Sequence, residues 1–402
     1  MIETGCDVLV VGGGVAGALA AAAAGRAGAR TLLVEKESYL GGTGYTALLQ
    51  HICGLYLNGA DTPTDTLNGG LVSEVVSVLR RITPGTVIQR IGRVFVLPYD
   101  RAGLRSVLES FCSGQQHVTL MRESSVVSVE KKGERIETII IEKKGTQTRL
   151  SPCVVIDASG NGSAAAAAGN RFELTPVQER QLAGYIVHIS GLTNADDALP
   201  LKVPYVLSHA ANSGTVPYSA RFTTFSFGRS PEEGYCKLSI SEEESAERDE
   251  KAKQQAELIL GVLKNALPAF RNSEIDDSSL KVADREGRRI LGEYVLTRED
   301  VLGARKFPDG VVKNAWPIEL WHKDKGTVYE YVSDGDYYEI PFRCLTVKGV
   351  SNMLAAGRCI SVTHEALGST RVMGACMALG EQAGKAAAYR VKQGTWPRDF
   401  KE

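Results

Sequence analysis

The stretch from residue 7 to residue 35 limits the folds open to this chain more than any other. DVLVV at 7–11 is an apolar run of the length expected for a strand buried on both faces. Gly12, Gly13 and Gly14 turn the chain directly afterwards, and the alanine-rich residues from about Val15 to Ala27 predict a helix capped by Gly28. TLLV at 31–34 reads as a second strand ending at Glu35, which completes a βαβ unit. Gly12-x-Gly14-x-x-Gly17 lies between strand and helix. There the first glycine permits the turn, the second lets backbone approach a diphosphate, and the third lets helix and strand pack closely. The N–H groups and positive dipole end of the helix, at Val15 and Ala16, face the same phosphates. Glu35, with Lys36 beside it, lies eighteen residues beyond Gly17, where a carboxylate accepts hydrogen bonds from a ribose diol and repels a 2′-phosphate.

Composition narrows the classes around this unit. With 402 residues, 43% of them hydrophobic, the chain has ample core for one large or two intertwined domains. Lys and Arg total 46 against 47 Asp and Glu, so no basic field marks nucleic acid as a partner. The eight cysteines form no CxxC pair, which removes zinc ribbons, dithiol centres and cysteine-held iron–sulfur clusters; no metal is expected, and a reducing cytoplasm is the simpler setting. Val8 to Gly25 is uncharged over eighteen residues, formally a membrane-helix length. Glycines interrupt it, and Glu3 and Asp7 flank it in place of Lys or Arg, so no membrane partner is expected.

Further along, residues 101–112 read as a helix, 118–129 and 136–142 as strands around a Lys132-Gly133 turn, and CVVID at 153–157 as another buried strand before Ala158, Ser159 and Gly160. The alanine run 164–168 predicts a short helix. From about 172 to 345 the texture changes, with 222–227 and 235–240 suggesting an antiparallel sheet. Ser241 and Glu244 form a capping-box pattern for a helix running to about Leu267. MLAA at 353–356 returns to the opening texture, and a small-residue helix is expected from about Ser369 to Gln393.

Taken together, DVLVVGGGVAGALAA at 7–21, GGTG at 41–44, VVIDASGNG at 154–162, REGRRILGEYVLTREDVL at 285–302 and the segment 352–388 resemble the FAD-dependent oxidoreductases. These are glutathione-reductase-like Rossmann flavoproteins related to the fumarate reductase and succinate dehydrogenase flavoprotein type. The resemblance implies an α/β fold: a Rossmann-like FAD-binding domain at 1–75, 115–172 and 346–402, a connecting segment at 76–114, and a discontinuous α+β substrate or cap domain at 173–345. It implies that Gly12, Gly14 and Gly17 hold the FAD diphosphate and Glu35 the adenosine ribose. Gly42, Thr43 and Thr46 would follow the phosphates and ribityl chain, and Val126 would meet adenine through its backbone. Ala158, Ser159 and Gly160 stand where the family has Ala-Thr-Gly, and Gly357 and Arg358 match the segment that returns to the cofactor. The start of the last helix, near Thr370, Val372 and Met373, would face flavin N1 and C2, with Arg371 adding a charge.

The implied activity is hydride transfer between a small organic substrate and flavin N5, with oxygen or another carrier as electron acceptor. His364 is the candidate general base, against a structural role; Arg285, with Arg288 and Arg289, is the candidate for a substrate carboxylate, against internal ion pairing. If 285–289 is a strand, Arg285 and Arg289 share a face. His51 and Cys53 follow the GGTG loop, where some relatives attach flavin covalently. Trp316 and Tyr338 are candidate pocket walls, or simply core. No second GxGxxG occurs in 172–345, so no separate nicotinamide domain is expected. Two other readings stay open at this point: a binding module that does no redox chemistry, and an NAD-dependent dehydrogenase.

Overall fold

Apolar runs far apart in the chain meet as neighbours in one sheet. The computed structural model, which describes residues 2–83, 85–241 and 245–397, aligns β1 (Val8–Val11), β2 (Thr31–Val34), β3 (Val118–Met121), β4 (Val154–Asp157) and β5 (Val350–Ala355) in the order β5-β4-β1-β2-β3. All of these pairings are parallel, with Val8 opposite Thr31 on one side and Val154 on the other. Only the edge strand Thr346–Val347 runs antiparallel, against β5. Every residue of β1, β2 and β4 is buried, which accounts for their unbroken apolar sequence.

The helices that cover this sheet are α1 (Val15–Arg26), α2 (Arg101–Ser113) and α4 (Met373–Gln393), while α3 (His364–Thr370), just before α4, packs against strand Ile318–His322. Asp100 caps α2 by accepting from the Gly103 N–H at 2.7 Å. α1 is buried from Val15 to Gly25, which is why it is built of Ala and Gly rather than amphipathic. It packs on α4 at backbone distance: a Cβ at Gly380 would lie 2.0 Å from the Ala16 carbonyl oxygen, and one at Gly384 2.2 Å from that of Ala20. This approach carries the first turns of both helices to the same end of β1.

A second core belongs to the antiparallel sheet Thr224–Phe227, Gly234–Ile240, Ala183–Ser190 and Glu274–Ser278, covered by helices Leu199–Asn212 and Arg248–Ala266. This bears out the α/β nucleotide domain with an added α+β unit. Core packing divides the chain differently from composition, however. Residues 76–114, expected as a connector, place Leu79, Leu104 and Leu108 in the same core as the central sheet, as do Ile318, Tyr338 and Ile340 from the expected cap segment.

Several expected boundaries move. The strand expected at 118–129 is two, because Glu123 takes a left-handed turn (φ 56°) that carries the chain from the central sheet into the hairpin Ser124–Lys132 and Arg135–Lys143. The single helix expected from Ser369 is broken by extended backbone at Val372 (ψ 151°), so Thr370 ends α3 and does not open α4. The helix expected from residue 241 is described from Arg248, and Glu244 of its capping box lies outside the described residues. Among the described residues, no helix is long and apolar enough to cross a membrane and no His, Cys, Asp and Glu cluster is placed for a metal; all eight cysteines are free.

Gly380→Ala should force α1 and α4 apart. Overpacking of this kind costs about 1–3 kcal/mol, so the melting temperature should fall by several degrees; an unchanged melt would show that the helices give way freely.

Candidate functional site

The glycine turn after β1 is shaped by what surrounds each Cα. Gly12 has φ 101°, and a Cβ there would lie 2.6 Å from the Ala158 carbonyl; a Cβ at Gly17 would lie 1.7 Å from the Gly12 carbonyl. Gly14 differs: a Cβ would meet nothing within 4 Å, although its backbone suits any residue (φ −64°, ψ −179°). Its empty side therefore serves neither packing nor conformation. The Glu35 carboxylate accepts from the Gly13 N–H and, at 2.8 Å, from the Glu37 N–H, which braces the turn against the end of β2.

Gly14 opens onto a cavity of about 390 Å³. Gly12, Val15 and Ala16 from the turn and α1 line it, with Glu35 and Lys36 after β2, and Gly42, Thr43 and Thr46 from the GGTG loop. Ala158, Ser159 and Gly160 line it after β4, and Gly357, Arg358, Arg371, Val372 and Met373 from the C-terminal segment. The Ser159 hydroxyl does not point to a ligand; it donates to buried Asp157 at 2.6 Å and accepts from the Ser163 N–H at 2.9 Å, so it holds the turn in shape. Arg358 likewise donates to the carbonyls of Gly160 and Asp284, clamping two walls together. Gly17 lies behind the wall, as a packing position. Val126 pairs with Ile141 in the hairpin and Thr370 is buried in α3; neither reaches the cavity.

At one end stand Arg285 and Arg371, both expected at the site, with two charged groups that carried no motif, Lys237 and Glu319. Lys237, on strand Gly234–Ile240, and Arg285 both lie over the Trp321 ring, at 4.2 and 3.9 Å from its centroid. Arg285 also donates to the Leu182 carbonyl. Glu319 accepts from Trp321 Nε1 at 2.8 Å, and Arg371 donates through Nη2 to the Glu319 carbonyl at 3.0 Å while its buried Nε has no partner among the described residues. Burial, then Arg285, pushes the Lys237 ammonium down to about 8. Burial pushes the Glu319 carboxyl up, but Lys237, Arg371 and Arg285 outweigh it and hold it below the usual carboxylate range. His51 and Cys53 line the cavity too; burial lowers the His51 pKa and raises the Cys53 thiol to about 12, far from a thiolate near neutrality.

Three expectations need correction. His364 lies outside this cavity: its Nδ1 is 3.1 Å from Glu286 and 3.2 Å from Thr175, and it lines a separate shallow pocket with Glu365 and Arg289. The arginines do not share a strand face. Arg285 precedes the two-residue strand Arg289–Ile290 and alone lines the cavity among the three, whereas Arg289 donates to Val362 and Thr175, and Arg288 to the Asn161 carbonyl. Trp316 and Tyr338 are core residues, with the Tyr338 hydroxyl 2.6 Å from Ser369 Oγ. A wider cleft of about 770 Å³, farther along α4 by Lys313, Glu381 and Lys385, contains none of the expected site residues.

The model of the FAD dependent oxidoreductase family matches residues 7–401. No curated protein matches. Among solved structures, a flavin-dependent brominase, Bmp2, is 15% identical with a TM-score of 0.51, covering 99% of this chain and 81% of its own. CabE, an aromatic hydroxylase from angucycline biosynthesis, is 12% identical at 0.53, covering 97% and 63%. The OxyS anhydrotetracycline hydroxylase from Streptomyces rimosus is 12% identical at 0.50, covering 98% and 64%. At these identities the likeness is one of fold.

Because burial depresses the Lys237 ammonium from an ordinary 10.5 to about 8, the folded state binds fewer protons than the unfolded between those pH values, and this group's destabilisation fades as pH rises through that window. Ligand-free Lys237→Met should therefore melt above wild type at neutral pH, with the gap closing toward pH 10.5. A gap independent of pH would show that the ammonium is not destabilised by burial.

Proposed function

This chain belongs to the FAD dependent oxidoreductase family, and from that premise we propose that it transfers a hydride between a small organic substrate and flavin N5. It is an enzyme, an FAD-dependent oxidoreductase, and FAD is its cofactor. When bound, FAD supplies the isoalloxazine that takes up or gives back two electrons. The observation that carries the reading is the empty side of Gly14, open to a cavity that continues to the buried charges around Lys237.

The residues suit FAD in detail. The turn at Gly12–Gly14 and the first N–H groups of α1 would hold the diphosphate, in the space a side chain at residue 14 would fill. Glu35, already braced by two N–H donors, keeps lone pairs for a ribose hydroxyl. Val372 and Met373 bring the N-terminal turn of α4 to the cavity wall, where its dipole favours negative charge at the flavin pyrimidine edge by about 0.3–2 kcal/mol. Lys237 Nζ would hold or release a proton near neutral pH at the charged end, the part first assigned to His364.

Gly14→Ala separates binding from folding. FAD affinity should fall by about tenfold or more while the ligand-free melt stays unchanged; a full flavin complement in the variant would overturn the reading. In an anaerobic screen that follows flavin bleaching, an active substrate should reduce wild type and His364→Ala at similar rates, with Lys237→Met slower by about 10²-fold. A slow His364→Ala would restore that residue to the reaction.

A further inference from the structure

The charged end of the cavity does not balance. Lys237, Arg285 and Arg371 line it with Glu319, three cations to one carboxylate, and among the described residues none of the three cations has a carboxylate within ion-pair distance. Glu319 instead accepts from the Trp321 indole at 2.8 Å and the Tyr329 hydroxyl at 3.4 Å, so its role is to hold the ring on which two of the cations lie. Among the described residues Lys237 Nζ has no hydrogen-bond partner, and Arg371 Nε is buried without one. Room for the Arg285 guanidinium comes from Gly184, where a Cβ would crowd Arg285 Nη2 at 3.1 Å. Three cations gathered out of water around a single carboxylate are costly, and the ligand that relieves the excess charge is an anion.

Resting on the function proposed above, we propose that Lys237, Arg285 and Arg371 form a subsite for a carboxylate of the substrate, so that the enzyme acts on a small organic acid. The planar fork of Arg285, fixed at one nitrogen by Leu182, presents its remaining donors to the two oxygens, and Lys237 adds a mobile point charge from the neighbouring strand. The buried Trp321 ring lies beneath both cations and holds them in place.

Calorimetric titration of wild type, Arg285→Met, Arg285→Lys and Lys237→Met tests this, using acetate, succinate and benzoate against the matching amides and against inorganic phosphate. The same titrations on FAD-loaded protein are also followed by the visible flavin spectrum. At least one carboxylate should bind wild type at least tenfold more tightly than its amide, shift the flavin spectrum, and lose tenfold or more in Arg285→Met and Lys237→Met, with partial recovery in Arg285→Lys. Equal binding of acid and amide, or carboxylate affinity unchanged in both Met variants, overturns the subsite. Phosphate binding that outcompetes every carboxylate assigns the cluster to inorganic anions and overturns it too. Titrating ligand-free protein keeps the question separate from the cofactor: failure to take up FAD defeats the reading of the enzyme, while the acid-against-amide contrast still decides the subsite.

Discussion

Backbone-to-backbone contact between α1 and its neighbours is the constraint on which the site depends. Gly17 lets the first turn of α1 sit against the Gly12 carbonyl, and Gly380 and Gly384 let α4 lie against the carbonyls of Ala16 and Ala20. Side chains of ordinary size at these positions would separate the helices by several ångströms. Their N-terminal turns would then no longer open onto one cavity between the ends of β1 and β4. The alanine content of α1 is thus a packing requirement set by the ligand site, and it explains why this helix lacks the polar face of a surface helix.

A second principle governs the other end of the cavity. The nucleotide end uses neutral backbone, held by one buried carboxylate at Glu35, whereas the substrate end concentrates formal charge in the dry interior. Burial lowers the pKa of Lys237, Arg285 and Arg371 alike; Arg285 and Arg371 lower that of Lys237 further, Arg371 lowers that of Arg285, and Glu319 offsets only part of this. Proteins rarely keep such an arrangement for stability alone. It fits a site whose stability is completed by what binds there, as active sites often are.

The sequence made the nucleotide half legible because its signals are local. Strand, glycine turn, helix and acid are consecutive, and each residue's duty follows from its neighbours, so Gly12, Gly14 and Glu35 were readable before any contact was known. At the charged end Arg285 and Arg371 were readable, but their partners were illegible for the opposite reason. Lys237 sits in GYCKLSI and Glu319 in IELWH, ordinary alternating strand segments, and only the meeting of the two strands buries them. His364 misled because nearness in sequence to the returning segment says nothing about which way a side chain faces. Thr363, which caps α3 by accepting from the Ala366 N–H, was a signal that a helix begins there, and that helix turns His364 toward Glu286. The three arginines misled because a strand was assumed where only Arg289 and Ile290 are extended enough to pair.

The cavity wall is gathered from residues as distant as Gly12 and Cys376. During synthesis the nascent chain can form β1, α1 and β2 early, yet the pocket has no closing side until α4 has left the ribosome. α1, whose buried face is mostly alanine awaiting α4, must wait through that interval with its apolar surface uncovered. Translation speed and chaperone access between the making of α1 and of α4 therefore bear on the yield of active protein, and a product lacking α4 would be both empty and prone to aggregate.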